Sequence, residues 1–87
     1  MTINSSTFPY SEINNILQTK EFLFLACYSP YVIVLSSQSL NKITEIVDTE
    51  VNEIYNLAEW KNYLVTMGND KKIKFWNMKV INSVVNI

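Results

Sequence analysis

The chain has no histidine and no arginine, and among its 87 residues only one cysteine and one glycine. Each absence removes chemistry. Without histidine, neither a Ser-His-Asp triad nor a Cys-His nucleophile can be assembled, and a zinc site loses its commonest ligand. A single glycine cannot build the phosphate-cradling loop or the dinucleotide fingerprint, both of which need several. The lone Cys27, set in an apolar run, excludes an intramolecular disulfide and suits a reducing compartment. Net charge is −1, and no basic run exceeds Lys71-Lys72, so a nucleic-acid footprint is missing. The first ten residues, MTINSSTFPY, lack the basic start of a signal peptide. The longest near-apolar run, Phe22 to Leu35, is interrupted by Tyr28-Ser29-Pro30-Tyr31 and is too short to span a bilayer. These features predict a protein of cytoplasm or nucleus that is not an enzyme, with no cofactor, no metal, no direct contact to nucleic acid and no membrane span.

What is present is apolar. Hydrophobic residues make up 48%, aromatics 13% and charged residues 17%, too much hydrophobicity for a disordered chain. A charged fraction below the usual quarter or so points to surface that something else covers. Residues 63–77, YLVTMGNDKKIKFWN, read as a β-hairpin. Leu64 and Thr66 before the reversal, and Ile73 and Phe75 after it, alternate with other side chains. Gly68-Asn69-Asp70 marks the turn, where positive φ would cost glycine nothing.

The hairpin recurs upstream. Residues 22–35, FLFLACYSPYVIVL, lie over residues 63–76 at an offset of 41, with Phe22 on Tyr63, Leu23 on Leu64, Ser29 on Asp70, Val32 on Ile73 and Leu35 on Trp76. A short pattern precedes each hairpin, Glu12-Ile13-Asn14-Asn15-Ile16 and Glu50-Val51-Asn52-Glu53-Ile54, at an offset of 38. The mismatch places a length difference in the loop between first and second strands. Further alternating segments follow each hairpin, at 42–46 and 81–85. The sequence therefore divides into a polar lead-in over 1–11, a four-strand unit over 12–47 and, after the connector Asp48-Thr49-Glu50, a second unit to residue 87. Helix competes in the first-strand regions, because Ile13, Ile16 and Leu17 are spaced i, i+3, i+4, as are Val51 and Ile54 in part. The Asn-rich composition and the flanking strands favour strand.

A period near 40 with four strands per unit, an Asp in the tight turn and a Trp closing the third strand resemble the WD-repeat family of β-propellers. The resemblance implies an all-β fold of two four-stranded antiparallel propeller blades, a partial propeller. It also implies a buried structural set in the second unit: Thr66 in the second strand, Asp70 in the turn and Trp76 in the third. Asp70 would accept turn amides, and the Trp76 indole N–H would find the Thr66 hydroxyl. The family's histidine is missing, Val47 stands near its place, and Asn77 replaces the Asp of the name-giving dipeptide. The first unit carries neither the Asp nor the Trp.

Blade middle strands are covered on both faces, so Leu64, Thr66, Ile73, Phe75 and Trp76 are expected to be mostly buried. Glu50, Glu53 and Glu59 read as solvated carboxylates rather than a catalytic pair. Lys71, Lys72 and Lys74 read as charges that discourage edge pairing, rather than an anion site. Trp60 falls in the expected loop between first and second strands, either as an interface anchor or folded back on its own unit. Closed propellers need roughly four to eight blades. Two units that end on the apolar segment SVVNI read as partner-dependent or as part of a longer chain. The sequence therefore predicts an interaction or scaffolding element that binds other subunits or further copies of itself, with Trp60, Tyr63, Ile81 and Val85 as candidate contacts. A small β-barrel or sandwich that binds a ligand in a pocket is the competing reading.

Overall fold

The computed structural model describes residues 13–79, which form seven strands. These are β1 (Ile13–Gln18), β2 (Phe22–Cys27), β3 (Tyr31–Ser36), β4 (Lys42–Val47), β5 (Ile54–Trp60), β6 (Tyr63–Gly68) and β7 (Ile73–Asn77). They make two separate sheets, β1-β2-β3-β4 and β5-β6-β7, with every neighbouring pair antiparallel. The fold is all-β: strand forms at the first of the two regions where helical spacing competed, and at the second only Ile54 enters a strand. The segment 81–87, expected as a fourth strand of the second unit, lies outside the described residues, as do its candidate contacts Ile81 and Val85.

The repeat is more regular in space than the sequence suggests. β1 and β5 begin 41 residues apart, at Ile13 and Ile54, and β2 and β6 do the same at Phe22 and Tyr63. Even the bulge repeats: the ladder slips between Ile13 and Asn15 in β1, and between Ile54 and Asn56 in β5. The 38-residue offset is therefore an error of reading, and the first and second strands are joined at the same spacing in both units. Val51-Asn52-Glu53 is not strand but a loop that leads into β5. It mimicked a strand start because Val51 is buried, where it packs into the core.

Gly68 also has a different reason from the one its turn position suggested. It ends β6 opposite Ile54, and its φ is not positive. A Cβ there would lie 2.7 Å from the Glu53 carbonyl oxygen and 2.8 Å from Val51 Cγ1. Glycine is required by close approach of the connector. The left-handed residue of the turn is Lys71, with φ 61°.

Strand alternation sorts the side chains onto faces. From the first sheet, Phe22, Phe24, Ala26, Val32 and Val34 point toward the second sheet and form the main core with Val51, Ile54, Leu64 and Met78. Trp76 and Leu57 pack against this cluster from the second sheet. Leu25, Cys27, Ile33 and Leu35 occupy the opposite face of β2 and β3 and form a second cluster. Both faces of these strands are thus closed, which is why FLFLAC and YVIVLS read as continuous apolar runs instead of alternating ones. At the inner seam, β1 and β5 are joined by asparagines: Asn14 Nδ2 donates to the Ile54 carbonyl at 2.8 Å, and Asn15 Nδ2 donates to Asn56 Oδ1 at 3.3 Å.

Candidate functional site

In the β6–β7 hairpin the register pairs Leu64 with Trp76 and Thr66 with Lys74, while Val65 pairs with Phe75 and Met67 with Ile73. Directly paired residues share a face. Leu64, Thr66, Lys74 and Trp76 therefore look toward the first sheet, and Val65, Met67, Ile73 and Phe75 look away. This corrects the expected core. Leu64 and Thr66 are buried and Trp76 is half-buried, but Ile73 is 64% exposed and Phe75 56% exposed. The four-residue turn fixes the phase of β7, so residues 73 and 75 fall on the face opposite to 64 and 66.

On the inner face two of the three residues implied by the family resemblance, Thr66 and Trp76, are joined directly, and the third, Asp70, is held by Lys74, the cross-strand partner of Thr66. Trp76 Nε1 donates to Thr66 Oγ1 at 2.9 Å. Asp70 Oδ1 accepts the Lys72 backbone N–H at 3.2 Å, an Asx turn within its own hairpin. Its Oδ2 lies 3.1 Å from Lys74 Nζ. Lys74 reaches further, donating to both oxygens of Asp48 at 2.7 and 2.6 Å and approaching Glu50 at 3.1 Å. Asp48 is buried, 4% exposed, and is pinned by its N–H to the Pro30 carbonyl at 2.8 Å and by its Oδ1 to the Glu50 amide at 3.1 Å.

Lys74 is thus not an edge-guarding charge. It ties the connector between the sheets to the turn of the second hairpin. The Lys72 amide first, then Lys74, hold the Asp70 carboxyl below its ordinary range, although the partial burial of the carboxyl opposes them. Hydrogen bonding to Asp48, then to Asp70 and Glu50, raises the Lys74 ammonium well above its usual range. With Lys74 held protonated and Asp70 held ionised, neither exchanges a proton near neutral pH, so the arrangement is a structural clamp. Asp48 went unread because its partner is 26 residues away, beyond any local spacing. The one available signal was Lys74 itself, a charge on a face whose counterpart in the first unit is Ile33.

The outer face is different. Trp60 is not in a loop: it is the last residue of β5, opposite Tyr63, and a two-residue turn, Lys61-Asn62, follows it. Its ring stacks on Tyr63 at 6.0 Å between centroids and meets Phe75 edge-on at 5.9 Å, and Tyr63 also meets Phe75 at 6.1 Å. Lys61 Nζ sits 4.6 Å above the Trp60 ring. Trp60 thus folds back on its own sheet and still remains 51% exposed. Beside this cluster lies an apolar hollow of about 150 Å³ floored by Ala58, Val65, Met67 and Ile73. The face is a flat apolar sheet with aromatic relief at one end and a hollow at the other.

Other chemistry is sparse. Glu53 acts through its carbonyl, which accepts the Asn69 N–H at 3.1 Å. Burial first, then Glu45, raises the Cys27 thiol and leaves it unreactive. Among the described residues, no group of three or more His, Cys, Asp or Glu side chains is placed to hold a metal ion. Among them too, no helix is long and apolar enough to cross a membrane. No protein-family model matches the chain, and no curated protein matches it either.

Proposed function

We propose that the chain is a non-enzymatic interaction or scaffolding element of WD-repeat type, whose two sheets are blades that form part of a larger propeller or multi-subunit assembly in cytoplasm or nucleus. One observation carries this reading: Trp60, Ile73 and Phe75, each more than half exposed, share one face of β5-β6-β7 with Tyr63, Val65 and Met67. Large contiguous apolar faces on soluble proteins mark interaction surfaces, and aromatic residues at their centre anchor most interfaces. The hydrogen-bonded Thr66–Trp76 pair and the turn-capping Asp70 support the WD-type assignment. In place of the missing histidine, Lys74 of β7 bridges Asp48, in the connector before the first strand, to Asp70 in the hairpin turn. Of the competing barrel or sandwich, the two separate sheets disfavour a closed barrel, and against a self-contained sandwich stands the exposed apolar outer face of the second sheet.

The test is association by the intact chain, alone and in extracts of its source cells, followed by sedimentation velocity at micromolar concentration. The wild type is expected to bury an interface above about 1,000 Å² with another polypeptide or copy. The double variant Ile73→Glu/Phe75→Glu should keep its melting temperature and lose that association. A wild-type chain that stays a monodisperse monomer in both settings would overturn the reading.

A further inference from the structure

We propose that residues 1–12 lie across the far face of the first sheet and close it, with 7–12 following the course that 48–53 take over the second sheet. This inference is independent of the interaction reading. Its starting point is burial. Leu25, Cys27, Ile33 and Leu35 on that face are at most 6% exposed. The hydrophobic side chains that pack against them, Ile13, Leu23 and Tyr31, belong to the same sheet. Neighbours on one face shield each other's flanks and not their tops, so the cover comes from chain outside 13–79. That cover is narrow. Ile16 pairs with Leu25 and Val47 with Tyr31, so both share the face, yet they are 59% and 51% exposed. The middle strands are sealed and the edge strands are open, which fits a single segment of chain and not a packed sheet.

The repeat names the segment. At an offset of 41, residues 7–12 correspond to 48–53. The strands that follow match in detail: Ile13 enters β1 opposite Cys27, as Ile54 enters β5 opposite Gly68, and a bulge follows each. Upstream of Ile54 the connector runs over its sheet, and Val51 packs into the core above Gly68. Tyr10 holds the position of Val51, and Cys27 that of Gly68. Where the second unit pairs Lys74 with Asp48, the corresponding positions hold Ile33 and Thr7, so the first unit's cover needs no ion pair. Residues 1–11 carry no charged side chain and include Met1, Ile3, Phe8 and Tyr10, so they can lie on an apolar face without burying a side-chain charge.

Residues 80–87 are the competing occupant, and two observations disfavour them. By the same offset they correspond to 39–46, a stretch that continues within the plane of its own sheet as β4 and covers neither face. They also depart from the neighbourhood of Met78, which is buried in the core between the sheets, on the opposite side of β2 and β3. Residue 12, by contrast, joins Ile13, which already packs against the cluster to be covered.

Cys27 is the chain's one cysteine and reports on the contact directly. In the second unit a Cβ at position 68 would stand 3.1 Å from Val51 Cβ. With a real side chain at position 27, the corresponding spacing opens to the roughly 3.5–4.5 Å of a disulfide. The full-length Tyr10→Cys chain, oxidised with diamide, is therefore expected to form an intrachain disulfide with Cys27, read as loss of both thiols with no dimer on a non-reducing gel. Val84→Cys should form none. In a second measurement, Phe8→Asp/Tyr10→Asp should let iodoacetamide alkylate Cys27 about tenfold faster than in wild type while the melting transition stays cooperative. Val84→Asp/Val85→Asp should leave that rate unchanged. A disulfide from position 84, a dimer or no disulfide from position 10, or unchanged alkylation in the Phe8→Asp/Tyr10→Asp chain would each overturn the assignment. None of these readouts involves the outer face of the second sheet, so the interaction function stands or falls separately, on sedimentation.

Discussion

Gly68→Ala separates two explanations of the same residue. If glycine were present for a left-handed turn, alanine would be destabilising by about 1 kcal/mol and asparagine, which tolerates that region, would be nearly neutral. The structure assigns it to contact instead. The added Cβ meets the Glu53 oxygen at 2.7 Å, about 0.7 Å inside the 3.4 Å at which ordinary contact begins, and Val51 Cγ1 at 2.8 Å. Neither neighbour moves freely. The Glu53 carbonyl accepts the Asn69 N–H, and the Asn52 N–H is bonded to Asn69 Oδ1 at 2.9 Å, so the connector is fastened to the turn. Overpacking of this kind costs about 1–3 kcal/mol. Stretching the Asn69 bond adds about 1 kcal/mol, and the reduced freedom of the unfolded chain returns about 0.4–1 kcal/mol. The net loss is about 1–3 kcal/mol, a fall of roughly 5–20 °C in melting temperature for a domain of this size. Urea denaturation followed by tryptophan fluorescence would measure it. Gly68→Asn should be at least as damaging, and Val51→Ala should partly rescue Gly68→Ala in a double-mutant cycle by removing one of the two clashes. An asparagine variant as stable as wild type would refute the close-approach argument.

Thr66→Val keeps the volume but leaves the Trp76 indole N–H without its acceptor, and should destabilise by about 1–3 kcal/mol in the same assay. Leu64→Ala, at a fully buried position in the core between the sheets, should cost about 2–5 kcal/mol. The pH dependence of stability has two limbs. Asp70 is depressed in the folded state, so its contribution is present above its ordinary range and lost as acid carries pH down through the lowered value. Lys74 is raised, so its contribution is full below its ordinary range and is lost progressively as pH climbs from there toward the raised value. Melting temperatures from pH 2 to 12 should show both limbs, and Lys74→Met should remove the alkaline one and lower stability at neutral pH.

How far the fold was legible depends on whether the controlling interaction is local. The hairpin strands could be read because alternation and turn residues are local, and the 41-residue repeat because it rests on whole strands. The start of β5 was misread because Val51 and Ile54 carry strand-like spacing for another purpose. Val51 packs over Gly68, and only Ile54 enters the ladder. Trp60 was misplaced because the Lys61-Asn62 turn lacks the glycine that usually announces a two-residue hairpin loop. Lys61 adopts φ 53° there without one.

The faces of the hairpin show the limit most sharply. Ile73 and Phe75 are as apolar as Leu64, and nothing in their identity says which side they take. In an antiparallel pair one residue more or less in the turn exchanges the two faces, so the length of the 69–72 turn decides whether Ile73 is core or surface. The apolar set alone therefore leaves the candidate site undetermined. It becomes visible once the register is known, because the register shows that the positions buried by the second sheet in the first unit are bare in the second. The sequence shows that both faces of this hairpin are apolar enough to be covered, and the pairing shows that the described residues cover one of them. The uncovered face, with Trp60, Tyr63 and Phe75 gathered at its end, is the surface that the proposed interaction would use.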